Sequence, residues 1–214
     1  MPRAKTGEKQ RAERRQEAKT VLVTHEFPPV YAPDSRVLIL GSIPSPKSRE
    51  MQFYYGHPRN RFWKTLAALF DEPLPEGREA RCAFALRHHI ALWDVLAQCR
   101  IHGADDGSIE EPVANDLNLI LQTADIRCIF TTGAKAQQLY EKYCMPRLGR
   151  QAVRLPSTSP ANCAVRDEEL CAAYRQILPF LEEESGSSLD AQNVEMKQED
   201  CIQRHGDIDC RHMT

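Results

Sequence analysis

The sequence predicts an α/β fold: a three-layer αβα sandwich, helices on both faces of a central, mostly parallel sheet. Three observations carry this. Short apolar runs alternate with stretches of helical period, the pattern of βα units. The run Val37–Leu40 is apolar at every position, as in a strand covered on both faces. Loops rich in small residues or proline follow three strand candidates, at Gly41–Ser45, Thr131–Ala134 and Pro156–Asn162. Open α/β sheets hold their ligands at such strand ends.

Taken in order, Val21–His25 reads as a short strand, broken by Phe27-Pro28-Pro29. Arg36–Leu40 is the second strand. Apolar residues at 62, 63, 66, 67, 69 and 70 predict a helix over 60–70, with Phe62 and Trp63 in the core. A helix over 79–88 and a strand over 90–95 follow. Residues 116–122 read as helical and 127–131 as a strand ending at Thr132-Gly133. The helix 134–143, the strand 152–155 and the closing helix 167–178, with Asp167 as its cap, complete the alternation.

Length and charge set the bounds. The 214 residues suffice for one domain with a real core. Residues 1–19 carry seven Lys/Arg against three Glu and read as a charged, flexible N-terminal arm. Residues 184–214 have few large apolar side chains and read as a disordered acidic tail. That leaves 20–183 as the folded domain; its residues 20–181 carry no net charge to attract nucleic acid. Any DNA contact must come from a local patch. No apolar stretch approaches the ~20 residues of a membrane helix, and the polar start lacks a signal peptide. The eight cysteines form no CxxC pair and read as reduced thiols of a cytoplasmic protein. Cys201, His205, Cys210 and His212 match no structural zinc spacing. Neither a metal nor any other cofactor is expected, nor an obligate protein partner, and the chain is expected to be a monomer.

Two loops carry the chemistry. In the first, Gly41 lets the backbone turn and a ligand approach, and the Ser42 and Ile43 amides suit a developing negative charge. Tyr54 and Tyr55 offer faces on which a base can stack, or else pack in the core. Asn60 is either a carboxamide that holds a water or a helix cap. The second loop, Leu155-Pro156-Ser157-Thr158-Ser159-Pro160-Ala161-Asn162, is stiffened by two prolines and carries three hydroxyls suited to a phosphate. Lys47, Arg49, Arg59, Arg61, Lys64 and Arg154 surround the loops as candidate phosphate contacts, or as ordinary solvated or paired charges.

The order Gly41-Ser42-Ile43-Pro44, Tyr54-Tyr55, His57-Pro58-Arg59-Asn60-Arg61-Phe62-Trp63 and then 155–162 resembles the uracil-DNA glycosylase superfamily. Mismatch-specific members carry Gly-x-Asn-Pro in the first loop, with the Asn positioning the attacking water. Here Ile43 stands in that place. The closer resemblance is to the hypoxanthine-DNA (deoxyinosine) glycosylase branch, which keeps its catalytic amide in the His-Pro-x-Asn segment and has segments like Trp93-Asp94-Val95 and 155–162. Thr132-Gly133 stands where relatives often have Asn-Gly.

The resemblance implies that the central, mostly parallel sheet is four-stranded, that Asn60 positions the water and that Tyr55 stacks on the extruded base. Gly41, Ser42, Ile43, Pro44, His57 and Thr132 would surround the base. Ser157, Thr158, Ser159 and Pro160 would engage the DNA strand, with Lys47, Arg59 and Arg61 on phosphates. The expected reaction is monofunctional hydrolysis of the N-glycosidic bond of a flipped, deaminated base, leaving an abasic site. Uracil as the main substrate, a non-catalytic nucleic-acid module and a nucleoside hydrolase remain as alternatives.

Overall fold

The computed structural model describes residues 20–182. The expected arm over 1–19 and tail over 184–214, with its Cys and His residues, lie outside the described residues. The elements run β1 Val21–Thr24, β2 Val37–Gly41, α1 Pro46–Glu50, α2 Phe62–Leu69, α3 Gly77–Arg87, β3 Ile90–Asp94, β4 Leu96–Ile101, β5 Glu110–Ala114, α4 Asn118–Leu121, β6 Cys128–Thr132, α5 Ala134–Tyr143, α6 Met145–Leu148, β7 Ala152–Leu155 and α7 Asp167–Tyr174. A 3-10 helix, Arg175–Phe180, closes the domain.

The parallel sheet has the order β3-β2-β6-β7, flanked by helices as expected. Every residue of β2 and of β3 is buried, which is why both read as unbroken apolar runs. The chain leaves β2 for β3 on one side and later fills the other side with β6 and β7. Such a switch point opens a crevice above the strand ends. Register does the fine placement: Gly41 pairs with Asp94 and Leu40 with Thr131. Phe62, Trp63, Leu66 and Phe84 fill the space between helices and sheet. Helix α2 contains no Gly or Pro and presents Phe62, Leu66 and Leu69 at helical spacing to that core.

Three features depart from expectation. A second sheet, β1-β4-β5, is antiparallel. The run predicted as one strand over 90–95 is cut at Val95, where the backbone N–H groups of Val95 and Leu96 donate to the Gly41 and Ser42 carbonyls at 2.8 and 3.0 Å. The chain thereby peels off the parallel sheet and pairs with β1. The closing helix is α-helical only to Tyr174, because Pro179 cannot donate to an α-helical ladder. Asp167 is not its cap either: Arg166 holds that place, and its backbone N–H donates to Glu169 at 2.8 Å.

Candidate active site

A cavity of about 150 Å³ opens at the C-terminal ends of β2, β3 and β6, with the 155–162 loop beside it. That is room for about five waters at ~30 Å³ each, the scale of one purine. Its floor is the register pair Gly41 and Asp94. A Cβ on Gly41 would lie 2.2 Å from Asp94 Oδ1, so only glycine fits. Asp94 is buried, and its Oδ2 meets His25 Nε2 at 2.9 Å. His25 comes from the end of β1, so the antiparallel sheet buttresses the floor of the cavity.

The first loop forms one wall. Ser42, Ile43, Pro44 and Ser45 all line the cavity. Ser45 caps α1, its Oγ accepting from Ser48 N at 3.2 Å. Ser42 Oγ donates to Asp106 Oδ2 at 2.8 Å. Burial raises the Asp106 carboxyl above its ordinary range. The Ser42 bond and Lys135 oppose the shift, while Asp94 and Asp105 add to it.

Tyr55 sits in the left-handed region, with φ 52°, a conformation that non-glycine residues adopt at a cost. Its ring stacks on Phe62, centroids 3.7 Å apart, and its hydroxyl meets Thr132 Oγ1 at 3.3 Å. Burial, then Tyr174 and Asp94, push its phenol well above the usual value, so it stays neutral. Thr132 also donates to Leu40 O at 3.3 Å. Tyr55 and Thr132 both face the cavity, as expected.

Asn60 faces it too. Its Oδ1 accepts the Phe62 N–H at 2.9 Å, and its own N–H donates to His57 O at 2.8 Å. The N-cap residue of α2 is Arg61, which makes no side-chain cap bond; the Asn60 carboxamide, one residue earlier, accepts the first N–H of the helix, and that bond fixes its direction. An amide oxygen has a second lone pair, which leaves one acceptor position for a water. Among the described residues, Asn60 is the sole carboxamide lining the cavity.

The second loop rises beside Asn60. Ser157 Oγ and Ser159 Oγ accept from Ser159 N and Ala161 N at 3.2 and 3.3 Å. These local turns stiffen the loop in addition to its prolines. Ser157, Thr158 and Ser159 line the cavity; Pro160 lies beyond it, half-buried.

Several expectations are corrected. Thr158 is 1% exposed, its hydroxyl hydrogen-bonds the buried Tyr174 phenol, and its carbonyl accepts from Arg61 N at 3.1 Å. It anchors the loop from below and presents no hydroxyl to a phosphate. Arg61 is not a free phosphate contact. Its guanidinium donates to the carbonyls of Val165 and Asn162 and to Asp167, tying the start of α2 to the second loop. Lys64 also pairs with Asp167, at 2.7 Å, and Lys47 pairs with Glu50, at 2.7 Å. His57 does not line the cavity; its Nδ1 accepts from Arg59 N at 3.1 Å, bracing the turn before Asn60. Tyr54, for which core packing is one of the two readings, is 2% exposed and edge-on to Phe27 and Phe53, and it also borders the cavity. Arg59 and Arg154 are exposed on the surface.

Sequence reasoning passed over His25, Asp94 and Asp106. Asp94 ends a buried strand opposite a glycine, and an acid after four apolar residues is a signal in itself. Asp106 lies in His102-Gly103-Ala104-Asp105-Asp106-Gly107, which reads as an ordinary polar turn.

The family profile described as the uracil DNA glycosylase superfamily matches residues 28–182. The chain belongs to the uracil DNA glycosylase superfamily. Two curated superfamily relatives carry the name hypoxanthine DNA glycosylase. The one from Methanosarcina barkeri is 32% identical over 138 residues, covering 64% of this chain and 86% of the relative. The one from Methanosarcina acetivorans is 33% identical over 143 residues, covering 66% and 89%. An NMR structure of a Methanosarcina acetivorans chain, provisionally named a uracil DNA glycosylase, superposes with a TM-score of 0.60 at 30% identity. It covers 74% of this chain and 99% of that one. The superfamily match spans both loops, the cavity and the parallel sheet.

Proposed function

We propose that this DNA glycosylase removes hypoxanthine from deoxyinosine in DNA and leaves an abasic site. One observation carries the reading: Asn60, the sole carboxamide facing the cavity among the described residues, stands at the wall formed by the Gly41–Ser45 loop and Tyr55. Ile43, in the place where other members keep an Asn, offers no side-chain acceptor, so the water falls to Asn60. The names of the two Methanosarcina relatives support hypoxanthine as the base.

The nucleotide first leaves the duplex, at a cost of a few kcal/mol that is lowest for mispaired or damaged bases. The base enters over Asp94 and beside Tyr55. As the glycosidic bond stretches, the sugar becomes oxocarbenium-like and negative charge develops on the base. Preorganised donors of the first loop stabilise that charge. Asn60 Oδ1 accepts from the water and aims its lone pair at C1′. No lysine lines the cavity among the described residues, which supports hydrolysis by water with no covalent enzyme intermediate. The protein acts as a monomer on DNA that carries deaminated bases.

The test is a panel of duplex oligonucleotides containing hypoxanthine, xanthine or uracil, incubated with the protein and cleaved with alkali. The expected result is the strongest cleavage at hypoxanthine, with no product trapped by borohydride. Cleavage at uracil alone would transfer the reading to the uracil class, and no cleavage at any base would refute it.

A further inference from the structure

Asp106 takes no part in the mechanism above, yet it lines the cavity. It begins the 3-10 turn Asp106–Ser108 between β4 and β5. Asp105 fixes that turn: its Oδ1 accepts from Gly107 N at 2.9 Å and its carbonyl from Ser108 N at 2.8 Å. Ser42, itself 9% exposed, holds Asp106 Oδ2 at 2.8 Å and leaves Oδ1 outside that bond. The cavity thus contains two carboxyl groups with different partners. Asp94 has the His25 imidazole; Asp106 has a neutral hydroxyl. Acids whose surroundings differ in this way divide the roles of anion and proton donor between them.

We propose that Asp106 is the general acid that protonates the departing purine, and that Ser42 positions it. The assignment rests on the hypoxanthine reading. A purine leaves far more readily as a neutral base than as an anion, and its imidazole nitrogen N7 is the ring atom that accepts a proton most easily. The carboxamide of Asn60 and the backbone amides of the first loop carry no dissociable proton at ordinary pH. In the step, the C1′–N9 bond breaks and its electron pair goes to the base. The Asp106 carboxyl proton passes to N7, and hypoxanthine leaves neutral. The water held by Asn60 adds to C1′ and releases a proton, which restores the Asp106 acid. The groups facing Asp106 are Asp94 on β3, Cys99 on β4, Asp105 on its own turn and Lys135 on α5. Burial outweighs the others and favours the protonated carboxyl, with Lys135 and Ser42 acting in opposition.

The experiment is single-turnover excision of hypoxanthine by the full chain, from mildly acidic to alkaline pH. The wild-type rate is expected to fall as pH rises through the titration of Asp106. Asp106→Asn should be slower by roughly 10²-fold at the acidic end, with a flat profile, and Asp106→Glu should restore the slope. On a 7-deaza-2′-deoxyinosine duplex, which lacks the accepting nitrogen, wild type and Asp106→Asn should become equal. Ser42→Ala removes a bond that favours the ionised carboxyl, so its midpoint should move to higher pH. This variant keeps the carboxyl and tests the assignment even if Asp106→Asn fails to fold. An Asp106→Asn protein that retains the wild-type rate and slope overturns the assignment, as does an unmoved midpoint in Ser42→Ala. A wild-type protein that leaves inosine duplex uncut refutes the hypoxanthine reading instead, so the two failures are distinguishable.

Discussion

Asp94 Oδ1 occupies the space into which a Cβ on Gly41 would project, 2.2 Å away. The two residues are register partners on adjacent strands, so neither backbone can retreat without breaking the sheet. Asp94 is also tied to His25. Gly41→Ala must therefore drive the carboxylate off its imidazole partner. The expected outcome is a loss of about 1–3 kcal/mol of stability together with loss of excision. Thermal melting and an oligonucleotide assay check both, and a variant unchanged in each would contradict the contact.

On the proposed role, Asn60→Ala should lower turnover by orders of magnitude, and losing the bond to the Phe62 N–H should also cost about 1 kcal/mol. Asn60→Asp separates the two. A carboxylate oxygen accepts the Phe62 N–H as well as a carboxamide oxygen does, so melting should stay at the wild-type value. Excision should change, because a charged group then faces the developing oxocarbenium ion. If single-turnover rates of Asn60→Ala match wild type, the residue serves that bond alone.

Arg61 and Arg59 are two residues apart in sequence but differ in what surrounds them. Arg61→Ala removes donors to two carbonyls and to Asp167, and should cost on the order of 2 kcal/mol while loosening the second loop. The salt dependence of DNA binding should keep its slope. Arg59→Ala should leave melting unchanged and reduce that slope by about one. Binding isotherms across a salt series, alongside melts, distinguish a strut from a phosphate contact.

The raised carboxyl of Asp106 has a consequence for stability as well. Its folded-state value lies above its unfolded one, so its stabilising contribution is fully present below the unfolded value and is lost as pH rises through the folded one. At neutral pH, Asp106→Asn should therefore be more resistant to denaturant than wild type, and the difference should shrink toward acidic pH. Urea melts at two pH values check the sign.

Much of the scaffold is legible because its strands are buried on both faces. Val37–Gly41 and Cys128–Phe130 are apolar and buried throughout, with no polar face to confuse the period, and α5 falls on the helix read over 134–143. The antiparallel sheet is not legible in the same way. A single residue, Val95, separates β3 from β4, so no turn residues mark the change of sheet. Strand β5 contains Pro112 and two glutamates, the composition of an edge strand that propensity rejects. In the cavity, Asn60, Tyr55 and the Gly41–Pro44 loop are legible as motifs. Asp106 and His25 are not, because they arrive from the unanticipated sheet. The error at Arg61 has a different origin. A cation near a ligand loop looks the same in sequence whether it meets phosphate or the carbonyls of a neighbouring loop, and only folding brings Asn162 and Val165 to it.

The end of β4 and the β4–β5 connection close the cavity with Ile101, Gly103, Ala104 and Asp106, while Asn60 stands on the other scaffold, just before α2. Residues 102–105 are solvent-facing and outside the buried core. Lengthening, shortening or recolouring this rim reshapes the recess while every rung of the parallel ladder stays in place. Because Asp106 stands on the same rim, which lesion is admitted and how its bond is cut are coupled heritable traits, and a library for retargeting the enzyme belongs at residues 102–105 with Asp106 kept.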